Sequence, residues 1–166
     1  MQICAASRIL CGVFDLQKMR ILNTREVKEI IEKLDEQFGF NEKLDYAFLQ
    51  NNKEKIFLMS KDLGNVDVSG LRIDSLGLYF AKLEKQGLRL SIEGSQIIGP
   101  KCNKNILELK DEQRELWVKG YDLDIDGDLG FVIIKNKDDF LGCGKLRNNK
   151  LYNYVPKSRR LMVINE

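Results

Sequence analysis

The stretch from Gly130 to Val155, GFVIIKNKDDFLGCGKLRNNKLYNYV, decides how the chain is read. It holds three short runs rich in β-branched and aromatic residues, Phe131–Lys135, Phe140–Leu146 and Leu151–Val155. Turns rich in Asn, Asp and Lys separate them, the chemistry of tight turns. Tyr121–Ile125 before them and Leu161–Ile164 after them continue the pattern. Strands this short and this closely spaced predict a small β-barrel. A helix over Glu112–Lys119, entered at Asp111 and stopped at Gly120, precedes the strands.

Upstream of Gly99-Pro100 the texture changes. Thr24–Phe38 places Val27, Ile30, Ile31, Leu34 and Phe38 at helical spacing along one apolar stripe. Asn23 suits the N-cap, Glu26 completes a capping box, and Gly39 suits the stop. The opposite face, Arg25, Lys28, Glu29, Glu32, Lys33 and Glu36, mixes both signs, so this helix is expected to pack and not to bind. Tyr46–Gln50 and Lys55–Met59 predict a hairpin, Ser60–Gly64 a turn, and Ser75–Leu83 with Leu88–Ile92 a second pair of strands. The expected fold class is therefore α+β, with an N-terminal α/β lobe followed by a small barrel. Residues 19–100 are assigned to the lobe and 101–166 to the barrel. Residues 1–18 are set aside as an N-terminal extension, because Met19 stands just before the first well-patterned segment.

The 166 residues include four cysteines, Cys4, Cys11, Cys102 and Cys143, and no histidine. No cysteine pair has zinc-ligand spacing, and the thiols are expected to be reduced and cytosolic. Without histidine, Ser-His and Cys-His nucleophiles are excluded, which argues against hydrolase chemistry. No apolar run approaches the roughly 20 residues that span a bilayer. Asp122, Asp124, Asp126 and Asp128 with Gly127 imitate the opening of a calcium loop, but Ile133 stands where a bidentate glutamate is required. No cofactor or metal is expected.

The charge is segregated. Between Phe140 and Asn165 lie Lys145, Arg147, Lys150, Lys157, Arg159 and Arg160, with no acidic residue. The whole chain carries +2, so the remainder carries −4. Such segregation is the footprint of a polyanion-binding face. Tyr152 and Tyr154 are interleaved with these charges and could stack on bases, or belong to the barrel core. Gly142 and Gly144 could admit an RNA backbone, or serve tight packing.

The C-terminal residues also resemble a known family. Leu116-Trp117-Val118-Lys119-Gly120-Tyr121-Asp122, Gly130–Ile134, Phe140–Lys145 and Leu151-Tyr152-Asn153-Tyr154-Val155-Pro156-Lys157-Ser158-Arg159-Arg160 resemble the PUA-like domain at the C-terminus of Sun-family RNA cytosine-5 methyltransferases. Upstream, Ser75–Lys82 with Leu88-Arg89-Leu90 is similar to the PUA-containing factors that assist maturation of the large ribosomal subunit. The resemblance implies a PUA-like barrel, structured rRNA or tRNA as partner, and no catalysis by this chain. The Gly-rich cofactor loop and paired catalytic cysteines of those methyltransferases have no counterpart here. Lys145, Arg147, Lys150, Tyr152, Lys157, Arg159 and Arg160 are the expected RNA contacts, with Arg159 and Arg160 foremost because guanidinium grips phosphate bidentately. A cytoplasmic RNA-binding module in ribosome maturation or RNA modification follows, with a separately encoded RNA methyltransferase or ribosome-assembly proteins as further partners and no membrane. The alternatives are a protein-interaction factor docking on an RNA-modifying enzyme, and an enzyme built on a lysine or carboxylate of shifted pKa.

Overall fold

The computed structural model describes residues 19–62 and 77–161. The expectations for residues 1–18, for Leu63 and Gly64, for Ser75 and Leu76, and for the strand after Leu161 lie outside them.

The described residues begin with β1 (Met19–Ile21), and Asn23 then caps α1 (Thr24–Phe38). The capping box is complete: Asn23 Oδ1 accepts from the Glu26 amide at 3.0 Å, and Glu26 Oε2 accepts from the Asn23 amide at 2.9 Å. Ile30, Leu34 and Phe38 are the buried stripe, and Gly39 ends the helix as expected. The hairpin β2 (Ala47–Asn51) and β3 (Lys55–Met59) follows, then β4 (Leu78–Glu84) and β5 (Gly87–Leu90). These five strands form an antiparallel meander in the order β1-β2-β3-β4-β5.

The strand expected to run to Ile92 stops at Leu90, and α2 (Ile92–Ile98) begins instead. Ser91 is the cause. Its hydroxyl accepts from the Gly94 amide at 2.8 Å and donates to the Tyr79 carbonyl at 2.5 Å. A 3-10 turn at Gly99–Lys101 then leads into β6 (Ile106–Glu108), which the sequence did not announce. After α3 (Asp111–Val118) come β7 (Leu123–Asp124), β8 (Gly130–Asn136), β9 (Asp139–Arg147) and β10 (Lys150–Tyr152). Their sheet runs β6-β8-β9-β10-β7, with β6 parallel to β8. It curls as a half-barrel, so the architecture is the expected α+β fold with a barrel-like second sheet.

Strand β8 is buried on both faces. Val132 and Ile134 point into the barrel core with Leu109, Trp117, Leu123, Leu146, Leu151 and Val155. Phe131 and Ile133 point the other way, into the core that α1 and the first sheet form around Leu34, Phe38, Phe48, Ile56 and Phe80. Cys143 of β9 and Ile98 of α2 join that same core, so apolar packing is continuous across Gly99-Pro100. A strand sandwiched between two layers reads as an unbroken hydrophobic run, as Phe131–Ile134 does.

Ile133→Ala should cost about 2–5 kcal/mol by loss of buried area and creation of a cavity. Thermal unfolding should stay a single transition at lower Tm. Two separated transitions would show that the lobes unfold independently.

Candidate nucleic-acid interface

The β9–β10 hairpin gathers four of the seven expected contacts. Arg147 pairs with Lys150 and Lys145 with Tyr152 in register. Directly paired residues project to one face, and alternate residues along a strand share it. Lys145, Arg147, Lys150 and Tyr152 therefore stand together outside, while Leu146 and Leu151 between them point into the barrel. The hairpin tip, Asn148-Asn149, has φ of 52° and 57°, the left-handed pair that a two-residue turn demands. Arg147 is exposed, and Tyr152 is 38% exposed.

The two lysines have local partners. Lys145 Nζ lies 5.4 Å from the Phe131 ring centroid and donates to Gln86 of the first lobe. Lys150 Nζ lies 3.6 Å from Asp122 Oδ2 and 5.7 Å from the Tyr152 ring centroid. These are weak pairings near the surface, readily exchanged for phosphate. Asp122, the first carboxylate of the calcium-like run, also accepts from the Asn153 amide at 2.8 Å. Among the described residues no group of three His, Cys, Asp or Glu is placed to hold a metal ion.

The remaining three residues follow the chain away from the hairpin. Lys157 and Arg159 sit on a 3-10 turn, Lys157–Arg159, and both are exposed. Arg159 forms an ion pair with Glu93 of α2. Arg160 folds back on the chain, its Nε donating to the Val155 carbonyl at 3.1 Å. Its side chain lies on Gly120 (φ 90°), where a Cβ would come within 2.5 Å of the guanidinium carbon. Arg160 is thus tied to the fold by its own side chain, whereas Arg159 is exposed and carries an ion pair to Glu93.

Asn153, which the sequence did not single out, organises this corner. Its Nδ2 donates to the carbonyls of Trp117 (2.7 Å) and Tyr121 (3.1 Å), and its Oδ1 accepts from the Val155 amide at 2.7 Å. It closes the C-terminal end of α3, whose last carbonyls have no partner within the helix. Trp117 is fully buried, and its Nε1 donates to the Leu141 carbonyl at 3.1 Å. A Cβ on Gly144 would meet the Trp117 ring and Leu151 at 2.8 Å, so this glycine makes room for tryptophan. Gly142 lies against Ile92. Both glycines serve packing.

Tyr154 lies past the end of β10, although the sequence places it within the strand Leu151–Val155. Its ring packs 6.2 Å from that of Phe131 and takes the Arg89 guanidinium at 4.3 Å. Partial burial raises its pKa. Burial also pushes the Cys102 thiol up to about 11 and Cys143 to about 12, which leaves both protonated and poor nucleophiles. A groove of about 520 Å³ lies away from this face, among β1, α1 and the β2–β3 turn. No helix among the described residues is long and apolar enough to cross a membrane.

The double-faced β8 and the curled sheet fall within a segment that matches a known family. Residues 104–161 match the family described as the Methyltransferase RsmF PUA domain. A similar protein is the ribosomal RNA small subunit methyltransferase F of Aeromonas salmonicida (strain A449), 24% identical over 138 residues. The match covers 82% of this chain but only 28% of that relative. It therefore reaches upstream of residue 104 into the first lobe.

Asn153→Ala should destabilise the fold by about 1–3 kcal/mol, since it strips partners from partly buried carbonyls. Urea unfolding checks this, with an unchanged midpoint as the contrary result. Peptide mapping after iodoacetamide at neutral pH should find Cys102 and Cys143 unmodified in the native protein and alkylated once it is unfolded.

Proposed function

We propose that this chain is a non-catalytic module that binds structured rRNA or tRNA in ribosome maturation or RNA modification, in the cytoplasm. The carrying observation is the outer face of the β9–β10 hairpin, where Lys145, Arg147, Lys150 and Tyr152 converge on one side of a rigid strand pair. The three cations supply phosphate contacts, which set affinity and position without reading sequence. Tyr152 offers a ring on which an unpaired base can stack. Lys157 and Arg159 extend the positive field toward the C-terminal turn.

Ribosomal RNA is the first substrate to test, because the relative's name gives that RNA as its target. In this reading the module holds RNA for a methyltransferase unit, or for assembly proteins, and the bond-making groups lie in that partner. The protonated thiols of Cys102 and Cys143 fit a binding role.

The test is fluorescence anisotropy with small-subunit rRNA fragments and total tRNA at several salt concentrations. Wild type should bind with a steep salt dependence. Arg147→Ala/Lys150→Ala should weaken every RNA and reduce the salt slope by about two, about one per lost phosphate contact. Arg160→Ala should instead lower Tm. Absence of binding at low salt would overturn the RNA reading and turn attention to a protein partner on the same face.

A further inference from the structure

The outer face of the first sheet, opposite α1, carries a second row of cations. Lys55 of β3 pairs with Lys82 of β4, and Lys82 pairs with Arg89 of β5. Paired residues share a face, so the three stand side by side across three strands, about 10 Å from first to last. Each alternates with a core residue: Ile56, Ala81, Leu88 and Leu90 point inward. Like charges placed directly opposite one another destabilise a sheet. The row is therefore mutually repulsive, apart from the relief that neighbouring groups give it.

Two acidic residues lie beside it. Glu84 sits 3.6 Å from Lys82 and 3.0 Å from Arg89, one carboxylate between two cations. Glu54, next to Lys55, accepts from Gln50. Aromatic rings brace the cations: Lys55 Nζ lies 5.2 Å from the Tyr79 ring centroid, and Arg89 stacks on Tyr154. Tyr154 packs on Phe131, and Phe131 carries Lys145 over its ring. Arg89, Tyr154, Phe131 and Lys145 thus form a chain of contacts from the first sheet to the hairpin face. Gln86, at the β4–β5 turn, closes the same seam by accepting from Lys145.

We propose that Lys55, Lys82 and Arg89 form the second half of one RNA track, continuous with the hairpin face through the Arg89–Tyr154 stack. This rests on the RNA-binding reading above and assigns the α/β lobe a direct share in it. The lobe contacts phosphates, and the RNA crosses the seam between lobes. Arg89, with its side chain only 19% exposed, positions Tyr154, while Lys55 and Lys82 reach the backbone.

The experiment uses the full chain with a labelled small-subunit rRNA fragment. Lys55→Gln/Lys82→Gln, which keeps most of each aliphatic stem, is compared with wild type and with Arg147→Ala/Lys150→Ala. The expected result is a salt slope reduced by about two in the Lys55/Lys82 variant at unchanged Tm. Ultraviolet cross-linking of wild type needs no variant, and should label peptides from β3–β5 as well as from β9–β10. If Arg147→Ala/Lys150→Ala weakens binding while Lys55→Gln/Lys82→Gln leaves the slope unchanged, and cross-links stay on β9–β10, the track is refuted and the hairpin site survives. If wild type itself does not bind, both fall.

Discussion

Strand β8 is the constraint on which the rest of the structure depends. Its side chains alternate by geometric necessity, and both sides are occupied: Phe131 and Ile133 in the core of the first lobe, Val132 and Ile134 in the barrel. Neither sheet can shift against the other without uncovering one of these pairs. Cys143 on β9 and Ile98 on α2 bind the same junction from neighbouring elements. The outer faces of the two sheets are thereby fixed relative to each other, which lets Arg89 meet Tyr154 across the seam.

The same alternation sorts charge from core. On β9 and β10 one register sends Leu146 and Leu151 inward and Lys145, Arg147, Lys150 and Tyr152 outward. A slip of one residue would exchange the two sets. The Asn148-Asn149 turn pins that register, and Asn149 anchors it further, its Oδ1 accepting from the Gly127 amide at 2.9 Å.

Much of this is legible in the sequence. Helix α1 is readable to its bounds, because propensity, capping box, stripe and terminal glycine all agree. Strands β7 to β10 fall within a few residues of their expected places, because β-rich runs and the turn residues between them agree. Helix α2 escapes because seven residues give too little periodicity, and its best signal is Ser91 acting as N-cap. Strand β6 escapes because it gains its identity only by pairing in parallel with β8, a non-local event. Of the candidate site, the hairpin cations can be found by counting charge. What sequence does not supply is the distinction between Arg147, exposed at the hairpin, and Arg160, folded onto Gly120 and the Val155 carbonyl. The basic motif at the C-terminus mixes both kinds of residue. The row Lys55, Lys82 and Arg89 is invisible as a cluster, since its members lie far apart along the chain and meet only through strand pairing.

The shared core has an evolutionary consequence. The linker at Gly99–Lys101 has the sequence texture of a joint, yet the packing beneath it is continuous. Recombination at that point would leave Phe131, Ile133 and Cys143 facing solvent on one product and strip the floor from the other. A recombinant joined there would have to supply a complementary core of its own, so the joint written in the sequence is not a break in the packing.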